Sequence, residues 1–284
     1  MQIEQLRALA AIVDHGTFDA AARSLHVTPS AISQRIKALE SATGRVLLRR
    51  ETPIAVTEAG ESVLRLARQV ITLEAETWHD LGVDTTRTVL PVAVNADSLA
   101  TWLSDLFPIA ATWSDISLHL VADDQDKTSA LLRSGEVVAA LTSDPEPVAG
   151  CRSTPLGRMR YLPVAAAGLA ERHRRGRGYD WDSMPMLRYN IVDQLQDHFL
   201  AERSAQARPP VAYVPDSRAF ADAVHAGLGW GMLPEAHLSD DLTRLHGGHH
   251  DIALHWQSWR IQSEPMQRLA AAVQDLAKRS LRRP

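Results

Sequence analysis

The sequence predicts a chain in two parts: a small helical head with a β-hairpin, and an α/β body in two lobes, joined through one long helix. Three observations carry this. Apolar residues in the opening segment recur at helical spacing in short runs, broken at Gly16 and at Thr28-Pro29. From Thr57 to about Leu81 the same spacing continues without a break, and beyond Arg87 β-rich runs alternate with helical ones.

In the head, Leu6, Leu9, Ala10 and Val13 share one helical face. Gly16 then breaks the chain, and Thr17 caps a second helix in which Phe18, Ala21, Ala22 and Leu25 repeat the spacing. After a tight turn at His26-Val27, Thr28 is an N-cap and Pro29 takes the first helical position, where its missing N–H costs nothing. The third helix, TPSAISQRIKALE, ends at Gly44 and has two unlike faces. Ile32, Ile36 and Leu39 cluster on the helical wheel, with Arg35 on the flank nearer the core; opposite them lie Ser30, Ser33, Gln34 and Lys37.

A solvated helix face ordinarily carries Glu and Lys. Serine and glutamine carry groups that both donate and accept, and they suit base edges. Two helices joined by a few residues, the second with an apolar underside and such a polar face, form a helix-turn-helix pattern. RVLLRRETPIAV adds two strand-like runs around Arg49-Arg50-Glu51-Thr52-Pro53, a wing with two guanidinium groups at its tip. Between His15 and Arg50 the basic residues Arg23, Arg35, Lys37, Arg45, Arg49 and Arg50 face only Asp19 and Glu40, although the whole chain carries a formal net charge of -4. The partner this implies is double-stranded DNA. Thr28, Ser30, Ser33, Gln34, Lys37, Arg49 and Arg50 are the expected contacts, with Ser33 and Gln34 reading bases and the wing arginines lying on phosphates or in the minor groove.

The long helix from the Thr57 cap carries Val63, Leu66, Val70 and Leu73, widened by Leu64, Ala67, Ile71, Trp78 and Leu81. At 1.5 Å per residue it would be roughly 36 Å long, with more apolar face than so small a head can cover, so it is expected to pair with a second subunit. In the body, strands are expected at 88–94, 116–121, 137–141, 161–167, 187–191, 211–214, 229–233 and 252–257. Helices are expected at 98–110 and 127–134, from Asp193, at 216–226, and from Glu264. Alternation of this kind implies open, parallel-type sheets in two lobes, with ligand at strand ends between them. The boundaries read as a head over 1–58, a linker helix and hinge over 59–87 and the α/β body over 88–284, divided into lobe I (88–163 and 259–284) and lobe II (164–258).

Composition bounds the rest. With 45% hydrophobic and 23% charged residues the chain folds on ordinary cores. Its one cysteine, Cys151, excludes an internal disulfide. No apolar run approaches the roughly 20 residues that cross a bilayer, and MQIEQLRALAAIVDHG lacks the form of a signal peptide, so a cytoplasmic protein without a membrane partner is expected. No paired carboxylates, nucleophile motif or phosphate loop appears, and neither an enzyme nor a cofactor is expected. His246, His249 and His250 sit among glycines and read as a solvated loop rather than a metal site.

With those residues assigned, the chain resembles the LysR-type transcriptional regulators over essentially its full length. LRALAAIVDHGTFDAAARSLHVTPSAISQRIKALE, the LLRR and VTEAG runs that lead into the long helix, and AGLGWGMLP carry the resemblance. VNADSLATW and PLGRMRYLPVA look more narrowly like the branch known as ArgP or LysG, also labelled chromosome initiation inhibitor, whose members sense basic amino acids.

The resemblance implies a winged helix-turn-helix, a dimerising linker helix and a two-lobed sensor domain of periplasmic-binding-protein type. It also implies assembly as a dimer or dimer of dimers, contact with RNA polymerase, and control of a neighbouring amino-acid transport or metabolic gene. The second label keeps a nucleoid or replication-origin binder as the alternative. The run Arg172-His173-Arg174-Arg175-Gly176-Arg177 and the tract at 246–250 depart from the family pattern.

For the effector, Asn95, Asp97 and Ser98 stand where the first body strand hands over to a helix, whose start favours a carboxylate and for which Ser98 is the natural cap. A lysine or arginine would place its α-carboxylate there and its side-chain cation on an acidic group. Asp97, Asp123, Asp124 and Asp193 are the expected partners, with Thr142 after a neighbouring strand.

Overall fold

A computed structural model describes residues 1–49, 51, 54–82, 87–123, 125–202, 207–260 and 263–283. The head contains α1 (Ile3–His15), α2 (Phe18–Ser24), α3 (Pro29–Thr43), β1 (Leu48–Arg49) and β2 (Ala55–Val56), and α4 (Glu58–Asp80) leaves it. There follow β3 (Thr88–Asn95), α5 (Ala96–Ala100), a 3-10 turn (Trp102–Asp105), α6 (Leu106–Ala110), β4 (Ile116–Asp123), α7 (Gln125–Ser134), β5 (Ala139–Thr142) and β6 (Cys151–Ala166). Next come α8 (Ala167–Arg172), β7 (Arg174–Arg175), β8 (Gly178–Tyr179), β9 (Met186–Arg188), α9 (Leu195–Ala201), β10 (Val211–Tyr213) and α10 (Ser217–His225). The chain finishes with β11 (Gly231–Pro234), a second 3-10 turn (Glu235–His237), β12 (Leu242–Arg244), β13 (His250–Trp259) and α11 (Glu264–Ser280).

Two compact units result: Met1–Val94 with Ile109–Ser153 and Trp256–Ala271, and Asn95–Pro108 with Thr154–His255 and Ala272–Pro284. In the first unit the head is built by its caps. Gly16 closes α1 at φ +71°, and Thr17 Oγ1 accepts from Ala20 N at 3.1 Å to open α2. The turn into α3 passes through His26 at φ +52°, held by a bond from Val27 N to Ala22 O of 3.0 Å. Thr28 Oγ1 then accepts from Ala31 N at 3.2 Å, and Gly44 ends α3 at φ +64°. Leu9, Ile12, Ala21, Ile32, Ile36 and Leu39 are all but fully buried in one core with Leu47, Leu64 and Ala67.

The wing is an antiparallel pair, Leu48 with Val56 and Arg49 with Ala55. Its base is tied on both sides. Glu40 Oε1 accepts from Leu47 N at 2.9 Å, while Thr57 donates to Val46 O at 2.7 Å and caps α4 through Gly60 N at 3.0 Å.

Helix α4 has 23 residues, about 35 Å. It lies against α1, held by Arg7 to Glu74 at 2.8 Å and by the Arg68 guanidinium on the Asp14 carboxylate. In the same unit Arg65 donates to Arg133 O at 3.1 Å. There Gly135, at φ +81°, approaches so closely that a Cβ would stand 2.7 Å from Arg65 Cα. Buried Leu64 and Ala67 face the head, whereas Leu66, Leu73 and Trp78 are 40%, 44% and 43% exposed.

The body departs from the expectation in several places. Its sheets are mixed: β3 and β5 pair in parallel, as do β9 and β10, but β6 pairs antiparallel with both β11 and β12. The strand expected at 161–167 is the end of a 16-residue strand that begins at Cys151. The single helix expected over 98–110 is α5, a 3-10 turn and α6, because Thr101 leaves helical geometry at φ -118°, ψ -109°. The arginine run forms the hairpin β7–β8. In the second unit Leu162, Val164, Leu187, Phe220, Val224 and Leu233 form the core that holds β6, β9, α10 and β11 together.

Candidate DNA-reading head and effector site

On α3 the two-faced pattern is realised. Ile32, Ile36 and Leu39 are at most 1% exposed, Ser30, Gln34 and Lys37 are exposed, and Ser33 and Arg35 are half-buried on the flanks. Thr28 is occupied by its cap and by Ser30 Oγ at 2.9 Å, which positions the helix start, while Gln34 and Lys37 are long groups exposed on its outer face. Arg49 is exposed on β1; Arg50, Thr52 and Pro53 at the wing tip lie outside the described residues.

Of the expected effector residues, Asn95, Asp97, Ser98 and Asp193 fall in the second unit. Asp123 and Thr142 fall in the first, and Asp124 lies outside the described residues. Asp97 is the hub of a small polar cluster. Its Oδ2 accepts from the Tyr161 hydroxyl at 2.6 Å and its Oδ1 from the Ser217 hydroxyl at 2.6 Å, so one carboxylate joins the starts of α5 and α10 to β6. Burial, then the negative charge of Asp97 and the bond to it, push the Tyr161 phenol well above its ordinary pKa and keep it a donor.

Two residues earlier, Asn95 is 2% exposed, and neither atom of its amide finds a hydrogen-bond partner among the described residues. Each such orphaned group costs about 1–3 kcal/mol unless something polar meets it.

The other residues are more committed to structure. Ser98 is not the cap of α5. That position is taken by Asn95, which caps nothing with its side chain, and Ser98 Oγ, fully buried, accepts from Trp102 Nε1 at 3.1 Å. The carboxylate of Asp193 accepts from Tyr189 N at 2.9 Å and Leu195 N at 3.0 Å, shaping the turn into α9. Thr142, fully buried, pairs with Ser129 Oγ at 3.2 Å and accepts from Asp144 N at 3.1 Å. Tyr161 and Ser217 escape the sequence reading. The former is one hydroxyl in a strand of apolar residues, and the latter hides beside the stronger cap Asp216, which accepts from Ala219 N at 2.8 Å.

Elsewhere His246 Nδ1 accepts from Gly248 N at 2.8 Å inside a loop that Arg244 also holds, and among the described residues no group of three or more His, Cys, Asp or Glu is placed to bind a metal. Burial pushes the Cys151 thiol up to about 11, which keeps it protonated and inert. Among the described residues no helix is long and apolar enough to cross a membrane.

A winged helix-turn-helix head on the same chain as an α/β body with a buried polar cluster defines a transcriptional regulator of the helix-turn-helix class. The chain belongs to the LysR family: residues 3–61 match the bacterial regulatory helix-turn-helix proteins of the lysR family and residues 85–279 the LysR substrate binding domain. It is 43% identical over 284 residues to the lysine export transcriptional regulatory protein LysG of Corynebacterium efficiens, covering 98% of each chain. Among solved structures it resembles ArgP from Mycobacterium tuberculosis (42% identity, 99% and 98% of the two chains, TM-score 0.88). It also resembles full-length LysG from Corynebacterium glutamicum with bound effector Arg (38% identity, 99% and 100% of the two chains, TM-score 0.84).

Proposed function

We propose that this regulator acts in the cytoplasm, without catalytic activity, by binding double-stranded DNA through α3 and the wing as a dimer or dimer of dimers joined along α4. Its effector is a basic amino acid, arginine or lysine, and its target is a neighbouring amino-acid transport or metabolic gene, whose transcription it adjusts through RNA polymerase. One observation carries the effector assignment: the Asp97 carboxylate, held at 2.6 Å by Tyr161 and by Ser217, stands two residues from the unpartnered buried amide of Asn95. A fixed carboxylate takes a guanidinium or ammonium group, and an amide takes either end of an amino acid. The likeness to a LysG that binds Arg supports the same class of effector, and the relatives' names as transcriptional regulators favour this reading over an origin-binding protein.

Calorimetry with arginine, lysine and histidine, together with footprinting of the DNA upstream of the protein's own gene with and without each, tests it. Binding of arginine or lysine with a changed footprint is expected. No heat and no altered footprint with any of the three would overturn it.

A further inference from the structure

The arginine run after Glu171 is left unused by that reading. Residues 172–177 hold four arginines, one histidine and one glycine, and all four arginines are exposed.

A built stalk presents them. Arg174 pairs with Tyr179 and Arg175 with Gly178 in the hairpin β7–β8, and Gly176, at φ +57°, makes the turn between the strands. Asp180 N donates to His173 O at 2.9 Å and closes the base. There the Ser183 hydroxyl donates to Asp180 Oδ2 at 2.6 Å and lies 3.1 Å from His173 Nδ1. Tyr179 stands edge-on to Trp181 at 5.8 Å, and Trp181 to the fully buried Trp230 at 5.0 Å, so the hairpin is rooted in the interior of the second unit.

The charges of the tip are only partly met. From Arg172 to Tyr179 there is no acid, and the acids that follow lie at the base, where Asp180 takes Arg175 at 2.7 Å and Asp182 accepts from Arg208 N at 3.0 Å. Glu171 stands 3.7 Å from Arg174 with both side chains mostly in solvent, a pair that contributes little. Arg172 and Arg177 form no ion pair among the described residues.

The tip also lacks an apolar anchor: every residue from Arg172 to Gly178 is polar or glycine, and Tyr179 is taken up by Trp181. A protein partner is ordinarily held by a buried aromatic or aliphatic group at the centre of its interface, whereas a phosphate backbone needs guanidinium groups alone. So few cations would hold free DNA only weakly. A helix-turn-helix head on the same chain, however, supplies DNA at an effective concentration of order millimolar.

We propose that the β7–β8 hairpin is a second, sequence-independent DNA contact, in which Arg172, Arg174 and Arg177 lie along the phosphates of duplex flanking the operator. The contact rests on DNA being held by the head and is independent of the effector assignment.

The test titrates the full chain by fluorescence anisotropy, at several salt concentrations, with the footprinted operator carrying long flanks and with the same operator trimmed to the footprint. The triple variant Arg172→Gln, Arg174→Gln and Arg177→Gln spares Arg175, which braces Asp180. On the flanked duplex its slope of log K against log salt should shrink by about 0.9 for each lost phosphate contact, roughly 2–3 in all, and its Kd at physiological salt should rise about tenfold. Lysine at the same three positions should restore both, because the contact is one of charge. On the trimmed duplex the triple variant should match wild type.

Arg177→Cys gives a direct reading: Cys151 is buried and inert, so an iron–EDTA cleavage reagent attached through a thiol goes to position 177 alone, and cutting in the flanks is expected. An unchanged slope on the flanked duplex, or no cutting, would overturn the proposal and leave base reading by α3 intact. Lost transcription with unchanged DNA binding would overturn it in favour of an acidic protein partner. A loss equally large on the trimmed duplex would overturn the flank as the place of contact.

Discussion

Tyr161 donates its hydroxyl proton to Asp97 at 2.6 Å across 64 residues of sequence, so a buried phenol in β6 fixes the carboxylate that opens α5. The two members of this pair are separable by substitution. Asp97→Asn removes the charge and should weaken arginine binding about tenfold or more, as expected for the loss of a charged hydrogen-bond partner. Tyr161→Phe keeps the charge, and should lower stability in urea by about 1 kcal/mol with a smaller change in affinity. Wild-type arginine affinity in Asp97→Asn, measured by calorimetry, would show that the cation goes elsewhere.

Exposed Gln34 on α3 and exposed Arg49 on the wing should fail differently. Gln34→Ala is expected to change which operator variants are preferred, at about 1–3 kcal/mol for the base it reads. Arg49→Ala should weaken all sequences alike and reduce the salt dependence of binding by about one counterion. Gel-shift titrations over a panel of sites at several salt concentrations separate the two. A uniform loss in Gln34→Ala would remove its base-reading role.

Leu66, Leu73 and Trp78 leave large apolar surface on α4 in a single chain. A charge in this stripe should oppose association: Leu73→Glu is expected to shift the protein to monomer in sedimentation velocity and to cost operator affinity through lost avidity. An unchanged sedimentation coefficient at low micromolar concentration would place the subunit contact off this helix.

The Arg160–Asp251 pair gives an acid-side signature. The hydrogen bond from Arg160 holds the Asp251 carboxyl below its ordinary pKa against the opposing effect of burial, and His249 at 3.6 Å and Arg158 add in the same direction. Because the folded pKa is depressed, the stabilisation is present above the unfolded value of about 3.9 and is lost as pH falls through the folded one. Asp251→Asn should therefore be less stable than wild type at neutral pH, with the gap closing in urea titrations below about pH 4. A gap independent of pH would mean that the pair contributes by shape alone.

Helix ends were the most legible part of the sequence, because each is set by one residue's chemistry: Thr17, Thr28 and Thr57 bond the first free N–H groups, and Gly16 and Gly44 adopt the left-handed turn. The buried face of α3, Ile32, Ile36 and Leu39, followed from spacing alone. β6 was half missed because Pro155 and Gly157 look like breaks, yet its length comes from pairing with segments more than 60 residues later. Of the proposed effector cluster, Asp97 and its neighbour Asn95 were legible in the sequence. Tyr161 and Ser217 are joined to Asp97 by long-range packing of β6 and α10, which no local pattern encodes, while Asp193 accepts from backbone N–H groups of the turn into α9 and Thr142 pairs with Ser129 of α7.

Gly135 leaves no room for a side chain between its own backbone and that of Arg65. Anyone grafting a foreign DNA-reading module onto this body inherits that clearance as a design constraint. A splice placed beyond residue 65 has to deliver a helix on the native path, since one displaced by even the width of a methyl group loses the joint. Conversely, a bulkier residue introduced at 135 offers a way to uncouple module from body without touching a DNA-contacting or ligand-contacting atom.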